Sequence, residues 1–144
     1  MRVAVIANSK AEGVALARDS VCRALRDLGA ELLLPPDCAA FPAPGTDEVL
    51  AACDVAVALG GDGTIIHTAK RAAGYGRAVL GVNCGHLGFM AGLELDELSH
   101  LPALIEGRYT EERRMVLDVA VHAAEATRRF TALNEVVISR GALS

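Results

Sequence analysis

Continuous apolar runs, typical of buried strands, alternate along the first part of the chain with segments that have helical spacing. The run at residues 2–7 is rich in β-branched side chains, which predicts a strand buried on both faces. Asn8 and Ser9 then supply a helix cap, and Gly29 stands where glycine commonly ends a helix. Between them we predict a helix over residues 11–28, with these apolar positions at helical spacing: Val14, Ala17, Val21, Leu25 and Leu28.

The alternation continues after a break at Pro35 and Pro36. This order of strands and helices predicts an α/β fold, a parallel twisted sheet with right-handed crossovers and helices on both faces. The spacing of apolar residues over 94–107 predicts one more helix, with Leu98, Leu101 and Ile105 facing inward. The other predicted elements are strands at 31–34, 54–59 and 77–82, a short helix capped by Thr46 at 46–53, and a helix ending near residue 73.

The pattern changes towards the end of the chain. Residues 113–122 largely alternate apolar and polar side chains, as a half-exposed strand does, and residues 128–133 can pair back with them. Two antiparallel strands alone are marginally stable in water. We therefore expect an α/β nucleotide-binding domain over residues 1–108. Residues 109–144 are expected to form the first strands of a β-rich domain that this chain leaves incomplete.

Composition narrows the class of protein. With 52% hydrophobic but only 3% aromatic residues, the core must be aliphatic, as in a sheet covered by helices. A net charge of -4, with no basic run beyond doublets, argues against sequence-independent nucleic-acid binding. No apolar stretch approaches the roughly 20 residues of a membrane span, and no signal peptide is visible. The four cysteines lack zinc-site spacing, so we expect reduced thiols in a cytoplasmic protein.

The strongest candidate functional residues lie in the segment Gly60-Gly61-Asp62-Gly63-Thr64, between a predicted strand and a predicted helix. Its three glycines let the main chain approach a ligand closely, and the helix N-terminus favours a phosphate. A carboxylate repels phosphate, so Asp62 is predicted to accept a proton or to coordinate a metal ion. The alternative interpretation is a tight turn in which Asp62 caps the helix.

Two common nucleotide motifs do not fit. In the dinucleotide pattern G-x-G-x-x-G, counting from Gly61 and Gly63 puts Ile66 where the third glycine belongs. A P-loop requires G-K-[ST], and neither glycine-rich segment contains it. Any phosphate would therefore be held by main-chain N–H groups, with a metal ion as a further option, and not by a P-loop lysine.

Three ordered segments carry a family resemblance. Gly60-Gly61-Asp62-Gly63-Thr64 resembles the G-G-D-G-T signature shared by NAD kinases, lipid kinases of the diacylglycerol and sphingosine type, and phosphofructokinases. Residues 80–89, which read L-G-V-N-C-G-H-L-G-F, resemble the G-x-N-x-G-x-L-G-F element of NAD kinases. Residues 132–138, A-L-N-E-V-V-I, are similar to the L-N-E/D-V-x-I element of the same family. The chain thus resembles the ATP-dependent NAD kinases.

The resemblance implies a reaction and an architecture. NAD kinases phosphorylate the 2′-hydroxyl of the adenosine ribose of NAD, using ATP or in some members polyphosphate, together with Mg²⁺ or another divalent cation. The implied fold is an NAD kinase/diacylglycerol kinase-like N-terminal domain followed by a β-rich domain that completes the dinucleotide site. Family members are usually homo-oligomers. The expected partners are therefore NAD and ATP, with no nucleic acid or membrane.

The resemblance also implies roles for residues of the first glycine segment. Asp62 is the candidate base for the ribose hydroxyl, with Mg²⁺ coordination as its alternative role. Gly61, Gly63 and Thr64 are expected to offer main-chain N–H groups to phosphates. His67 stands where the family has a polar residue that contacts ligand, although a lone helical histidine is also a common surface residue.

Three further residues complete the expected site. Phe89 is predicted either to pack against a base or to plug the core. Asn134 and Glu135 are polar residues in an apolar run, and we expect them to contact a ribose or a base edge unless they only end a strand. Two alternative functions stay open: a lipid or sugar kinase of the same superfamily, and a non-catalytic nucleotide-binding fragment.

Overall fold

The structure, a computed structural model, describes residues 1–8, 13–36, 41–84, 88–133 and 135–138. The chain divides into two compact units, Met1–Glu111 and Glu112–Ser144. The first unit contains a five-stranded parallel sheet with its helices, and the second contains a two-stranded antiparallel sheet. The expected fold class, an α/β domain followed by β-structure, is confirmed.

The elements follow the predicted order, with one addition, the short strand β5. The first unit contains β1 (Arg2–Ala7), α1 (Val14–Asp27), β2 (Glu31–Leu33), α2 (Thr46–Ala52), β3 (Val55–Leu59), α3 (Asp62–Ala73), β4 (Ala78–Asn83), β5 (Leu93–Glu94), a 3₁₀-helix (Leu95–His100) and α4 (Leu101–Ile105). The second unit contains β6 (Val116–His122) and β7 (Thr127–Leu133).

The sheet has the strand order β2-β1-β3-β4-β5. After β1 the chain forms β2 on one side of β1. It then crosses back to form β3 on the other side of β1, and β4 follows beyond β3. The direction of winding therefore reverses between β1 and β3. In open parallel sheets, ligands bind beyond the carboxyl ends of the strands at such a switch point. The segment that begins at Gly60 leaves β3 at this place.

Aliphatic side chains cover both faces of the sheet. Because successive strand residues point to opposite faces, Val3 and Val5 of β1 belong to one core cluster, and Ala4 and Ile6 belong to the other. The first cluster is completed by α1 and α4, and the second receives α2 and α3. The predicted aliphatic core between two helical layers is therefore present.

The prediction that Thr46 caps the second helix is wrong. Gly45, with φ of 77°, is the N-cap residue and makes no side-chain capping bond, so Thr46 is the first helical residue. The Thr46 hydroxyl donates instead to the carbonyl oxygen of Ala43 at 2.6 Å. A buried threonine next to a tight turn satisfies its hydroxyl locally, and this competes with capping.

The predicted helix at 94–107 is only partly correct. Glu94 belongs to β5, which pairs with the edge of β4, and an α-helix forms only from Leu101. A two-residue strand has no periodicity that a sequence pattern can reveal, so β5 was not predicted. The inward-facing side of the segment is correct, because Leu101 is fully buried and Leu98 and Ile105 pack against the core.

The second unit is described here by itself. β6 and β7 pair in antiparallel register, from Val116 opposite Leu133 to His122 opposite Thr127. The predicted strand at 113–122 begins only at residue 116, and residues 135–138 lie outside β7 and are exposed. Across the described ranges of both units, no helix combines the length and apolar character needed to cross a lipid bilayer.

Two leucines on α1 offer a matched test of the core. Leu25 is fully buried, whereas Leu16 is 76% exposed. We expect Leu25→Ala to lower the free energy of unfolding by about 2–5 kcal/mol, because a cavity is left in the core. Leu16→Ala should change it by less than about 0.5 kcal/mol. Urea unfolding followed by circular dichroism measures both, and equal losses in the two variants would contradict this packing.

Candidate functional site

Two glycine-containing segments meet at the carboxyl edge of the sheet. The first follows β3 and leads into α3, and the second follows β4. Because β3 and β4 are neighbouring parallel strands, both segments leave the same edge of the sheet. The N–H group of Gly60 donates to the carbonyl oxygen of Val82 at 3.1 Å, which ties the first segment to β4.

Gly60 is required by the protein's own packing. Its φ of 149° is one that residues with a side chain rarely adopt. A Cβ atom at this position would lie 2.7 Å from Oγ1 of Thr64, and Thr64 itself is buried. Gly60 therefore allows the chain to turn tightly over the first turn of α3.

Gly61 and Gly63 have a different explanation. A Cβ atom at either position would meet nothing within 4 Å among the described residues, and neither residue has a positive φ. Both are exposed on the first turn of α3. Neither packing nor φ therefore calls for glycine, and the main chain at both positions is open to close approach from outside.

The start of α3 determines which N–H groups face outward. Those of Thr64 and Ile65 donate to the carbonyl oxygen of Gly61, at 3.0 and 3.2 Å. Thr64 thus supports the turn in this conformation, with its N–H group already engaged. The N–H groups of Asp62 and Gly63 lie in the first turn and have no acceptor within the helix itself. They supply the positive end of the helix dipole to an anion.

Asp62 joins the two segments. The N–H group of Phe89 donates to its Oδ2 and that of Met90 to its Oδ1, both at 3.1 Å. The N-cap residue of α3 is Gly61, with no side-chain capping bond. The interpretation of Asp62 as a helix cap is therefore wrong, because its carboxylate reaches across to the second segment.

Gly88 permits this contact. A Cβ atom on Gly88 would lie 2.6 Å from Oδ1 of Asp62 and 3.3 Å from its Cγ. Real Cβ contacts are essentially never that short, so any other residue at 88 would displace the carboxylate or the main chain. We name this arrangement, the Asp62 carboxylate with the main chain of residues 88–90, the carboxylate latch.

His67 lies on another side of α3. Five residues past Asp62, it is rotated by about 140° around the helix, at about 100° per residue. Its ring packs against Phe41, with centroids 5.0 Å apart, near the paired side chains of Arg71 and Asp47. Burial, followed by the charges of Arg71 and Lys70, lowers the pKa of His67, while Asp47 acts in the opposite direction. His67 therefore belongs to the contact between α3 and α2.

The remaining predicted site residues divide between the units. Phe89 is 86% exposed, so the alternative that it plugs the core is wrong, and its ring is accessible to a ligand. Asn134 lies outside the described residues. Glu135 belongs to the second unit, is exposed, and donates its N–H group to the carbonyl oxygen of Leu133 at 3.1 Å. Glu135 therefore follows β7 and is not part of a strand.

A polar pair at the end of β4 was missed by sequence reasoning. Asn83, at the end of β4, is buried and donates from Nδ2 to Oε2 of Glu94 at 2.9 Å. The pair forms because β5 places Glu94 beside Asn83 in register, which no sequence pattern signalled. An open depression of about 550 Å³ adjoins it, lined by Asn83, Cys84, Glu94, Leu95 and Asp96.

Comparisons with known proteins match this region. Residues 43–109, which include the latch, match the family model of the ATP-NAD kinase N-terminal domain. A NAD kinase of Aromatoleum aromaticum is 44% identical over 105 residues, 72% of this chain and 35% of the relative. A NAD kinase of Symbiobacterium thermophilum is 44% identical over 108 residues, 74% of this chain and 37% of the relative.

A longer match extends into the second unit. A NAD kinase of Nitrosospira multiformis is 33% identical over 147 aligned residues, which cover 96% of this chain and 50% of the relative. The chain thus spans between about a third and a half of the length of these relatives.

The two classes of glycine can be separated by experiment. We expect Gly61→Ala and Gly63→Ala to weaken binding of a phosphate-bearing probe such as ATP by at least about tenfold. Their free energies of unfolding should change by less than about 0.5 kcal/mol, since each new methyl group points into open space. Gly60→Ala should instead destabilise the fold by about 1–3 kcal/mol. Calorimetric titration and urea unfolding measure these effects; unchanged affinity in both exposed variants would contradict a ligand at α3.

The environment of His67 predicts its titration. We expect its pKa to lie below 6.5 and to rise in Arg71→Gln, which removes a repelling cation. With a lowered pKa in the folded state, the unfolded chain protonates His67 at a higher pH than the folded chain does. The folded state is therefore favoured at neutral pH, where the ring is uncharged, relative to acidic pH. This contribution is lost as the pH falls below about 6.5. An NMR titration of the ring protons gives the pKa, with Arg26→Gln on the opposite sheet face as the control. A value unchanged by Arg71→Gln would contradict the assignment.

Proposed function

Since this chain belongs to the NAD kinase family, we propose that it carries the nucleotide-binding and catalytic N-terminal part of an ATP-dependent NAD kinase. The reaction is transfer of the γ-phosphoryl group of ATP to the 2′-hydroxyl of the adenosine ribose of NAD, which yields NADP and ADP. The observation that carries the proposal is the position of Asp62. Its carboxylate joins the first turn of α3 to the segment after β4, beside the N–H groups of Asp62 and Gly63 that have no acceptor within the helix.

Asp62 is assigned the role of general base. An ionised carboxylate has about four acceptor positions, two on each oxygen, and the N–H groups of Phe89 and Met90 occupy one on each. A ribose hydroxyl can therefore donate to Asp62 while the latch stays closed. As the ribose oxygen bonds to the γ-phosphorus, its proton passes to Asp62 and the bond to the ADP oxygen breaks.

The first turn of α3 is assigned to the phosphates. The N–H groups of Asp62 and Gly63 and the open surface at Gly61 allow phosphate oxygens to approach the main chain closely. The helix dipole adds a favourable field there. Thr64 contributes by holding the turn in shape, as its buried side chain and its bond to Gly61 indicate.

The described residues do not form a magnesium cage. Within the described ranges, no group of three His, Cys, Asp or Glu side chains is arranged to hold a metal ion. Both oxygens of Asp62 already accept a main-chain N–H group, which leaves one acceptor position on each for a ribose hydroxyl. We therefore propose that Mg²⁺, when present, is held by the phosphates of ATP, and that Asp62 handles the proton.

Other parts of the proposal follow from the family. We assign the exposed Phe89 ring to a nucleobase, and Asn134 and Glu135 to ribose or base-edge contacts. His67 is assigned a supporting role between α3 and α2. NAD and ATP as partners, homo-oligomerisation of the full-length protein and a cytoplasmic location are proposed on the same basis.

The direct test is NADP⁺ formation. The purified chain is supplied with NAD⁺, ATP and Mg²⁺, and NADP⁺ is detected through an NADP-specific dehydrogenase. We expect product, and we expect Asp62→Asn to lower kcat by about 10²–10⁴-fold, the usual contribution of a positioned base. The matched control is Asp27→Asn at the far end of α1, where turnover should be unchanged.

Four outcomes separate the alternatives. Unchanged turnover in Asp62→Asn would contradict the assigned base. Binding of both nucleotides without product would restrict this chain to nucleotide binding and move the reaction to a longer polypeptide. Neither binding nor product would refute the proposal. Phosphorylation of a diacylglycerol or a sugar in place of NAD⁺ would support the other kinases of the superfamily.

A further inference from the structure

We propose that Gly88 is a positioning residue for the nucleotide, and that it acts through the carboxylate latch. The latch holds the main chain on both sides of Phe89, so that the exposed Phe89 ring presents a fixed stacking surface for a planar nucleobase. This inference rests on the proposed function only for the identity of the nucleotide. The latch itself can be tested without any turnover.

The first step is the two-point attachment. Consecutive N–H groups, those of Phe89 and Met90, donate to the two different oxygens of one carboxylate, each at 3.1 Å. A single bond would set only a distance, whereas two bonds to one planar group also set the orientation of the peptide between them. The attachment joins residues that are 27 and 28 positions apart in sequence.

The second step is the reason for glycine at position 88. Gly88 does not have a positive φ, so its backbone conformation is open to other residues. Its requirement is steric, because the atom that a Cβ would meet first is Oδ1 of Asp62, at 2.6 Å. That oxygen cannot move aside without breaking the hydrogen bond that it accepts from the N–H group of Met90. Any side chain at 88 therefore opens the latch.

The third step concerns what the latch holds. Phe89 is 86% exposed although its main-chain N–H group is tied down. With the backbone fixed, the ring is restricted to the few rotamers of two side-chain torsions. A large, exposed and preoriented aromatic ring beside a phosphate-binding helix is suited to stacking on a base. We infer that Gly88 affects nucleotide affinity through this ring.

The latch is tested first by amide exchange. Hydrogen exchange of the Phe89 and Met90 N–H groups is followed by NMR in the parent chain and in Gly88→Ala. We expect exchange of both groups to accelerate at least about tenfold in the variant, because both bonds are lost. The control is Gly92→Ala in the same segment, where a Cβ would meet Cδ1 of Leu80 at 3.0 Å and the carbonyl oxygen of Gly81 at 3.9 Å, but no atom of Asp62. Equally fast exchange in the parent chain would refute the latch.

The link to the nucleotide is tested by a double-mutant cycle. Dissociation constants for ATP and for NAD⁺ are measured in Gly88→Ala, Phe89→Ala and the double variant. We expect each single variant to raise by about tenfold the dissociation constant of the nucleotide whose base stacks on Phe89. The double variant should raise it little further. Multiplicative losses, or unchanged affinity in Gly88→Ala, would refute positioning through Phe89.

Steady-state kinetics separate this role from the base. Where NADP⁺ formation is measurable, Gly88→Ala should raise KM and also lower kcat, because opening the latch displaces the Asp62 carboxylate together with the main chain that carries the Phe89 ring. Asp62→Asn, which keeps glycine at 88, should act mainly on kcat. A fall in kcat alone for Gly88→Ala would refute the positioning role. Because exchange and affinity need no turnover, failure of the latch and failure of the kinase assignment give different results.

Discussion

The candidate site depends on one interaction, the pair of main-chain hydrogen bonds that the Asp62 carboxylate accepts from Phe89 and Met90. The sheet brings the ends of β3 and β4 to the same edge, but it does not determine how the segments beyond them are arranged. The carboxylate does this by connecting the first turn of α3 to the second segment. Gly88 makes the connection possible, and Phe89 is oriented by it.

The glycines of this region serve two different purposes, which their shared residue type conceals. Gly60, Gly81 and Gly88 are needed inside the protein, because a Cβ atom would come within 2.7 Å of Thr64, 2.7 Å of Ile65 and 2.6 Å of Asp62, respectively. Gly61 and Gly63 have open space around them. The first group allows the segments to pack closely, and the second leaves the main chain accessible from outside. A ligand that approaches closely needs both.

The position of an acidic side chain within a turn proposed to bind phosphate also becomes understandable. A carboxylate there would repel phosphate if it faced the same direction as the helix N–H groups. The latch turns Asp62 toward the N–H groups of the second segment and gives its charge hydrogen-bond partners. His67, on another side of α3, packs toward Phe41 and contributes to the contact with α2. Asp62 and His67 therefore serve different parts of the molecule.

The sequence by itself determined the order of strands and helices, the parallel sheet with its aliphatic core, and the place of the glycine segments, since periodicity and glycine content are local properties. It also placed Asp62 at the centre of the site. The tertiary structure alone decided what Asp62 contacts, which glycines are internal, that Phe89 is exposed and that Glu94 meets Asn83. It also corrected the cap at Thr46. These features depend mainly on contacts between residues far apart in the chain, or on strands too short to show a period. Local sequence patterns reveal neither distant contacts nor such short strands.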